Sequence, residues 1–237
     1  MYIGIIGAMA EEVAGLIPKL EEHSETTIAG LAFHQGKLNG QPVIVVRCGV
    51  GKVNAAVCTQ LLIDHFQVTA VINTGVAGGV DPNVKIGDVI IAEDAVHHDF
   101  DVTVFGYKPG TVPGFDQTCF PADQELKSKA VAAAHKVVGP NRTHLGTIAS
   151  GDQFISSSER KHFLFETFQA LCAEMEGAAI AHTAYLNQIP YIIIRAISDQ
   201  ADAAAPADFE TFLDQIIPDL NSIVSEIAAG YSDCSKR

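Results

Sequence analysis

Pro190-Tyr191-Ile192-Ile193-Ile194-Arg195-Ala196-Ile197-Ser198-Asp199 decides how the rest of this chain is read. The first half is an apolar, β-rich run suited to a buried strand in a sheet covered by helices. The second half sets Arg195, Ser198 and Asp199 where that strand ends. Ionisable groups are costly to desolvate, so a fold keeps them at such a place where a site uses them.

Working outward, the spacing predicts a strand over 2–6 closing at Gly7, then a helix over 11–20 with Val13, Leu16, Ile17 and Leu20 on one face. Residues 26–38 and 42–48 read as two strands joined by the Asn39-Gly40 turn. Gly49-Val50-Gly51 breaks the chain before a helix over 52–65. A strand over 70–73 is expected to end at the glycine-rich stretch 74–79, and another strand covers 88–96. Periodicity then dissolves over 100–120, a long irregular segment that reads as a lid or an interface. Helices over 123–138 and 177–187 and strands over 143–149 and 191–197 follow, and an amphipathic C-terminal helix is expected to kink or split at Pro218. The alternation implies an α/β fold, three-layer αβα around a central, mixed, largely parallel sheet. Ligands in such sheets bind beyond the carboxyl ends of the strands, where Gly7, Gly49, Gly75 and Ser198 are expected. The chain reads as one domain over 1–231 with a polar, disordered tail over 232–237.

Hydrophobic residues make up 48% of the 237 and charged residues 18%, which excludes a disordered chain. The net charge of −13, without a basic block, argues against nucleic acid and anionic membrane as partners. No apolar run reaches membrane-spanning length and the N-terminus lacks a signal-peptide pattern, so a cytoplasmic protein is expected. Five cysteines in no CxxC pair read as reduced thiols, neither a disulfide frame nor a zinc site.

The chemistry-bearing residues each have a plainer reading. Glu12 could serve the dipole of its helix, Glu174 and Glu176 a solvated helix start, and Asp199 an N-cap. His97-His98-Asp99 lacks further ligands at a defined spacing and reads as a solvated strand end, so no metal is assigned. Gly49-Val50-Gly51-Lys52-Val53-Asn54 fits neither the dinucleotide fingerprint nor the P-loop, so no cofactor is assigned. Several glycine turns along one sheet edge, with carboxylates beside them, nonetheless favour a small-ligand pocket.

Six stretches in order carry a resemblance: Gly7-Ala8-Met9-Ala10-Glu11-Glu12, Gly49 to Ala56, Asn73-Thr74-Gly75-Val76-Ala77-Gly78-Gly79, Ser150-Gly151-Asp152-Gln153-Phe154-Ile155, Glu174-Met175-Glu176 and Arg195-Ala196-Ile197-Ser198-Asp199. Together they resemble the bacterial 5'-methylthioadenosine/S-adenosylhomocysteine nucleosidases, of the nucleoside-phosphorylase fold. The resemblance implies hydrolysis of the N-glycosidic bond between adenine and a 5'-thio-substituted ribose, with water and a nucleoside as reactants and no cofactor. It assigns Asp199 as the acid at adenine N7, Glu12 as the base for water and Glu176 as the acceptor of the ribose hydroxyls. It sets the purine against Phe154, Ile155 and Phe209, near Ala77 and Gly78, with Met175 on the sugar and Arg195 and Ser198 beside the catalytic groups. Met9, Val50, Val102, Phe105, Tyr107 and Pro113 would form the alkylthio pocket, with Val102, Phe105 and Pro113 supplied by the second subunit of a homodimer. Val76 departs from the pattern, standing where the family carries a Ser that orients the acid.

Three rivals remain at this stage. A purine nucleoside phosphorylase of this fold would place arginines where this chain has Glu11, Glu12 and Asn73. An AMP hydrolase would need a basic clamp, whereas a futalosine-type substrate would change only the 5' side. A non-catalytic nucleoside binder would have no use for both an acid and a base.

Overall fold

Residues 2–231, the part described by a computed structural model, alternate short β-rich runs with helices; the tail expected over 232–237, with Cys234, lies outside the described residues. Strand β1 (Ile3–Gly7) leads through Ala8-Met9 to helix α1 (Ala10–Ala14), and β2 (Glu21–Ile28), β3 (Leu31–Leu38) and β4 (Gln41–Arg47) form a meander. Helix α2 (Lys52–Phe66) connects to β5 (Ala70–Gly79), which is followed by β6 (Val89–His97) and the short β7 (Phe120–Pro121). Next come α3 (Gln124–Val137), β8 (Thr143–Ser150), α4 (Ser158–Phe168), β9 (Ala170–Glu174), α5 (Gly177–Leu186), β10 (Tyr191–Asp199) and α6 (Ala205–Ala229).

The sheet runs β2-β3-β4-β1-β5, and from β5 it closes into a ring through β10, β6, β8 and β9. Closure is possible because β5 is long and changes partners along one edge. Ile3 to Ile6 of β1 cover Ala70 to Asn73, while β9 covers only Gly78 and Gly79. Residues 74–77 therefore have no strand on that edge, although β10 pairs them on the other. That uncovered stretch becomes the floor of the site.

Side chains alternate between the faces, as strand geometry requires. Ile6, Val71 and Ile193 pack with Cys58 and Leu62 of α2 and Ile180 of α5. Ile5, Ile72 and Ile192 pack on the other face with Leu126 of α3 and Leu220 and Val224 of α6. The three-layer mixed architecture is thus present, with the ring as its additional feature. Among the described residues, no helix is long and apolar enough to cross a membrane.

Several boundaries differ from the sequence expectation for local reasons. The helix expected over 11–20 stops at Ala14, because Pro18 disfavours helix in the residue before it and a 3₁₀ turn, Ile17–Lys19, takes over. The strand expected over 26–38 is a hairpin, turning at Ala29-Gly30 with φ of 51° and 79°. The 74–79 stretch continues β5 instead of ending it, so Gly75 lies inside a strand. Helix α4 and strand β9 had no expectation at all.

Helix α6 is continuous through Pro218, neither split nor terminated there. Pro218 is exposed, so the Asp214 carbonyl that loses its helical N–H partner faces water. Replacing Pro218 with Ala should therefore stabilise the protein by about 2–2.6 kcal/mol, the helix penalty less the entropy that Pro removes from the unfolded chain. The measurement is a thermal melt, where a rise of roughly 4–10 °C is expected with activity unchanged.

Candidate active site

Arg195 is 1% exposed inside the ring and needs compensating charge. Glu174, at the end of β9, supplies it through a direct ion pair. The guanidinium also donates to Asn73 Oδ1 at 2.6 Å and to the Ile194 carbonyl at 3.1 Å, while Asn73 Nδ2 donates to the Ile6 carbonyl at 3.0 Å. Glu174 accepts in addition from Ser150 Oγ, from the Glu176 N–H at 3.1 Å and from the Gly177 N–H at 2.8 Å. Burial alone would raise its carboxyl, but Arg195 and these donors overcome burial and hold it below the usual range.

Three further carboxyl groups surround this pair. Glu12 Oε2 accepts from the N–H groups of Ala8 at 2.6 Å and Met9 at 2.9 Å, and Oε1 takes the N–H of Val76 at 3.0 Å, the donor left free on the uncovered edge of β5. Gly75 makes this possible, because a Cβ there would lie 2.5 Å from Glu12 Oε1. Burial raises the Glu12 carboxyl against the lowering effect of Arg195 and the three N–H groups.

Glu176 accepts from the Gly51 N–H at 2.8 Å, and burial, with Glu174 next to it, pushes its carboxyl up to about 7. Asp199 accepts from Ser198 Oγ at 2.8 Å and the Ala201 N–H at 2.9 Å, yet burial, aided by Asp208 and Asp202, raises it as well. Gly78 gives Asp199 its room, since a Cβ there would meet Asp199 Oδ1 at 2.7 Å. Val76 brings no hydroxyl, and the hydroxyl that bonds the acid is that of Ser198.

These groups line one cavity of about 210 Å³. Glu12, Glu176, Asp199 and Ser198 are on its wall, as are Val76, Ala77 and Gly78. Phe154, Phe209 and Met175 supply an apolar side, with the two rings edge to face at 6.2 Å, and Met9 and Val50 stand at another side. Ile155 lines a smaller adjoining cavity of about 30 Å³ together with Phe154, Gly78 and Asp199. A wider open groove of about 790 Å³ begins at Ala8, Met9 and Val50 but contains none of the three carboxylates, and we place the chemistry in the smaller cavity for that reason.

Not every expected residue reaches the cavity. Arg195 lies beneath it, engaged by Glu174 and Asn73. Val102, Phe105, Tyr107 and Pro113 are absent from the wall, and Phe105 is 77% exposed. Glu174, whose plainer sequence reading is a solvated helix start, is the partner of the buried arginine. His97 and His98 correct the expectation of a solvated strand end: both are buried, and His97 packs edge-on against Phe120 and His182. No group of side chains among the described residues could hold a metal ion.

Comparison with known proteins shows the family of this chain. Residues 2–229 match the family described as the Phosphorylase superfamily. A 5'-methylthioadenosine/S-adenosylhomocysteine nucleosidase of Geobacillus kaustophilus is 46% identical over 215 residues, covering 90% of this chain and 91% of its own length. The Neisseria meningitidis enzyme of the same name, solved with methylthio-immucillin-A, superposes with a TM-score of 0.93 at 37% identity, covering 97% and 99% of the two chains. A futalosine hydrolase mutant of Helicobacter pylori gives 0.91 at 32% identity, covering 96% and 98%.

A carboxyl raised on folding contributes stability that is complete below its unfolded pKa and is lost as pH rises through the folded value. For Glu176 that window runs from about 4.5 to about 7. Glu176→Gln, which keeps an acceptor for Gly51, should therefore be more stable than wild type at pH 8 by about 1–3 kcal/mol, with the difference gone near pH 4. Urea unfolding at the two pH values measures this.

Proposed function

The chain belongs to the phosphorylase superfamily and, within it, to the 5'-methylthioadenosine/S-adenosylhomocysteine nucleosidases, hydrolases of an N-glycosidic bond, and on that premise we propose that Asp199, Glu12 and Glu176 carry the reaction. The substrates are 5'-methylthioadenosine and S-adenosylhomocysteine, with 5'-deoxyadenosine a third that the apolar Met9 and Val50 side would accept. The supporting observation is a single cavity lined by four carboxyl groups, Glu174 paired with Arg195 and the other three in three different hydrogen-bond settings, with no lysine or arginine among the described residues of the wall. Phosphorolysis would require cations to hold its anion there, so the arrangement favours water.

Adenine is a poor leaving group as an anion. Asp199, whose carboxyl burial raises, gives its proton to N7 as the bond electrons pass to the base, which departs neutral. Positive charge grows on the ribose as the bond lengthens. Glu176 accepts the ribose hydroxyls and stabilises that charge more than the neutral substrate, which raises turnover and not only affinity. Glu12 holds the attacking water and takes its proton, and its raised carboxyl makes it the stronger base. The products are adenine and the 5-substituted ribose. Phe154, Phe209 and Ile155 hold the purine, and Met175 lies along the sugar.

The 5' side is incomplete in one chain. Val104 and Phe105 are 84% and 77% exposed, and Val53 and Val57 of α2 also face solvent. Exposed apolar side chains of this kind favour a homodimer in which residues 100–120 of one subunit close the other's pocket through Val102, Phe105 and Pro113. The futalosine-type alternative rests on the structural likeness to the Helicobacter pylori hydrolase and would differ at this same wall.

Incubation with 5'-methylthioadenosine in phosphate-free buffer should release adenine, and added phosphate should give no sugar 1-phosphate. Asp199→Asn should lower that rate by about 10² to 10⁴ while the fold persists, and retention of more than a tenth of wild-type turnover removes Asp199 from the mechanism. Phe105→Asp should shift sedimentation from dimer to monomer and lose activity together, because an apolar contact cannot take an unpaired carboxylate. A fully active wild-type monomer would defeat the shared pocket.

A further inference from the structure

Three residues without a role so far meet beside segments that reach the cavity wall: Lys52 after the Gly49-Val50-Gly51 turn, Asp99 after β6, and Asp152 after β8. Asp99 Oδ1 accepts from Lys52 Nζ at 2.5 Å, and Asp99 Oδ2 accepts from the Asp152 N–H at 3.0 Å. Asp152 Oδ1 completes the circuit by accepting from the Lys52 N–H at 2.8 Å. The Lys52 and Asp99 side chains are only 19% and 16% exposed, so this pair is screened less than a surface bridge.

Both ends of the circuit touch residues already placed at the cavity. Gly51, one residue before Lys52, donates the N–H that holds Glu176, and it does so with φ of 102°, a conformation other residues rarely adopt. Asp152 lies two residues before Phe154. Gly151 fixes the approach of the two segments, since a Cβ there would lie 2.4 Å from His98 Cε1 and 3.0 Å from Asp99 Cγ. The remaining bonds at this junction join the same strands: the His98 N–H to the Ser150 carbonyl at 2.9 Å, and the Gly151 N–H to the Glu174 carbonyl at 3.1 Å.

We propose that Asp99 is a positioning residue for the hydrolysis: through Lys52 and Asp152 it locks the turn that holds Glu176 to the loop that carries Phe154 and Ile155. The inference rests on the reading of Glu176 as the ribose carboxylate and Phe154 as the purine wall. Ribose and base are the two halves of one bond under strain, so the distance between their holders sets how well the reacting atoms align. A shift of about 1 Å at such a holder can cost about 10²-fold in rate. Asp99 stays ionised across the working range, because Lys52 and the Asp152 N–H outweigh its burial and keep its carboxyl low. The clamp therefore does not itself titrate where Glu176 does.

That separation gives the test a signature that loss of stability would not produce. Glu176 faces Glu174, Arg195, Glu12 and Cys48, and the Gly51 N–H is the contact that the clamp controls. Asp99→Asn should slacken the turn, weaken that N–H bond and so raise the Glu176 carboxyl further. The kcat/KM for 5'-methylthioadenosine should fall about 10- to 100-fold at pH 6.5, the deficit should narrow at least about twofold by pH 8.5, and the limb should move up by about half a unit or more. Lys52→Met is the second variant, with the same expected pattern, should Asp99→Asn fail to fold by circular dichroism. A folded variant with wild-type kcat/KM and an unmoved limb overturns the proposal, as does a loss that is equal at every pH. Glu176→Gln serves as the control: full activity in that variant would sink the reading of Glu176 itself, whereas an impaired Glu176→Gln beside a normal Asp99→Asn would sink only the clamp.

Discussion

The buried ion pair between Arg195 and Glu174 is the constraint on which the rest of the site depends. Desolvating both charges costs several kcal/mol per ion, and the attraction repays this only when the remaining donors and acceptors are also matched. Here they are matched by Asn73, Ser150 and the N–H groups of Glu176 and Gly177. Those partners come from β5, β8, β9 and the start of α5, so the pair also fixes how the closing strands of the ring sit against each other. A ring of strands filled with apolar side chains alone could tolerate sliding, but this one cannot without stranding a charge.

The same pair divides the local charge unequally. Glu174 takes the arginine directly and is held low, and its settled negative charge then acts on its neighbour Glu176. Burial and that neighbour raise Glu176 into the neutral range, while Glu12 and Asp199 are raised by burial against their own donors. Glu174 is thus held low beside three carboxyl groups that are raised, so the settled negative charge of this cluster sits on the arginine's partner. Under the proposed roles, a cavity walled by carboxyl groups without a lysine or arginine favours a developing cation over a free phosphate.

Much of this was legible in the chain. The β-rich run before Arg195, the alternation of strands and helices, and the order of the glycine and carboxylate motifs gave the layered fold and nearly all of the cavity wall. What was missed was long-range. The sequence marks 74–79 as a turn because glycine favours turns, but pairing with β10 on one edge and β9 on the other makes it strand. Glu174 looked like a helix-start residue because its partner is 21 positions away. His97, His98 and Asp99 looked solvated because nothing local says that β8 and α5 cover them. Phe105 carries no local signal for a role, and only the resemblance assigns it one.

The uncovered edge of β5 explains how the buried carboxylate of Glu12, the proposed base, finds its donors. A backbone N–H in a continuous sheet is committed to its neighbouring strand, so a buried carboxylate finds no donors there and would remain protonated. Where β1 departs after Asn73 and β9 arrives only at Gly78, the Val76 N–H is released to Glu12, and Gly75 removes the side chain that would block it. Because Glu12 is served by backbone, the side chain at position 76 is free to vary, and Val76 leaves the Glu12 contact intact. The hydroxyl that orients Asp199 then comes from the adjacent Ser198, on the same strand as the acid it holds. Backbone fixes the base and a neighbour on its own strand fixes the acid, so the two roles do not compete for the same side chain.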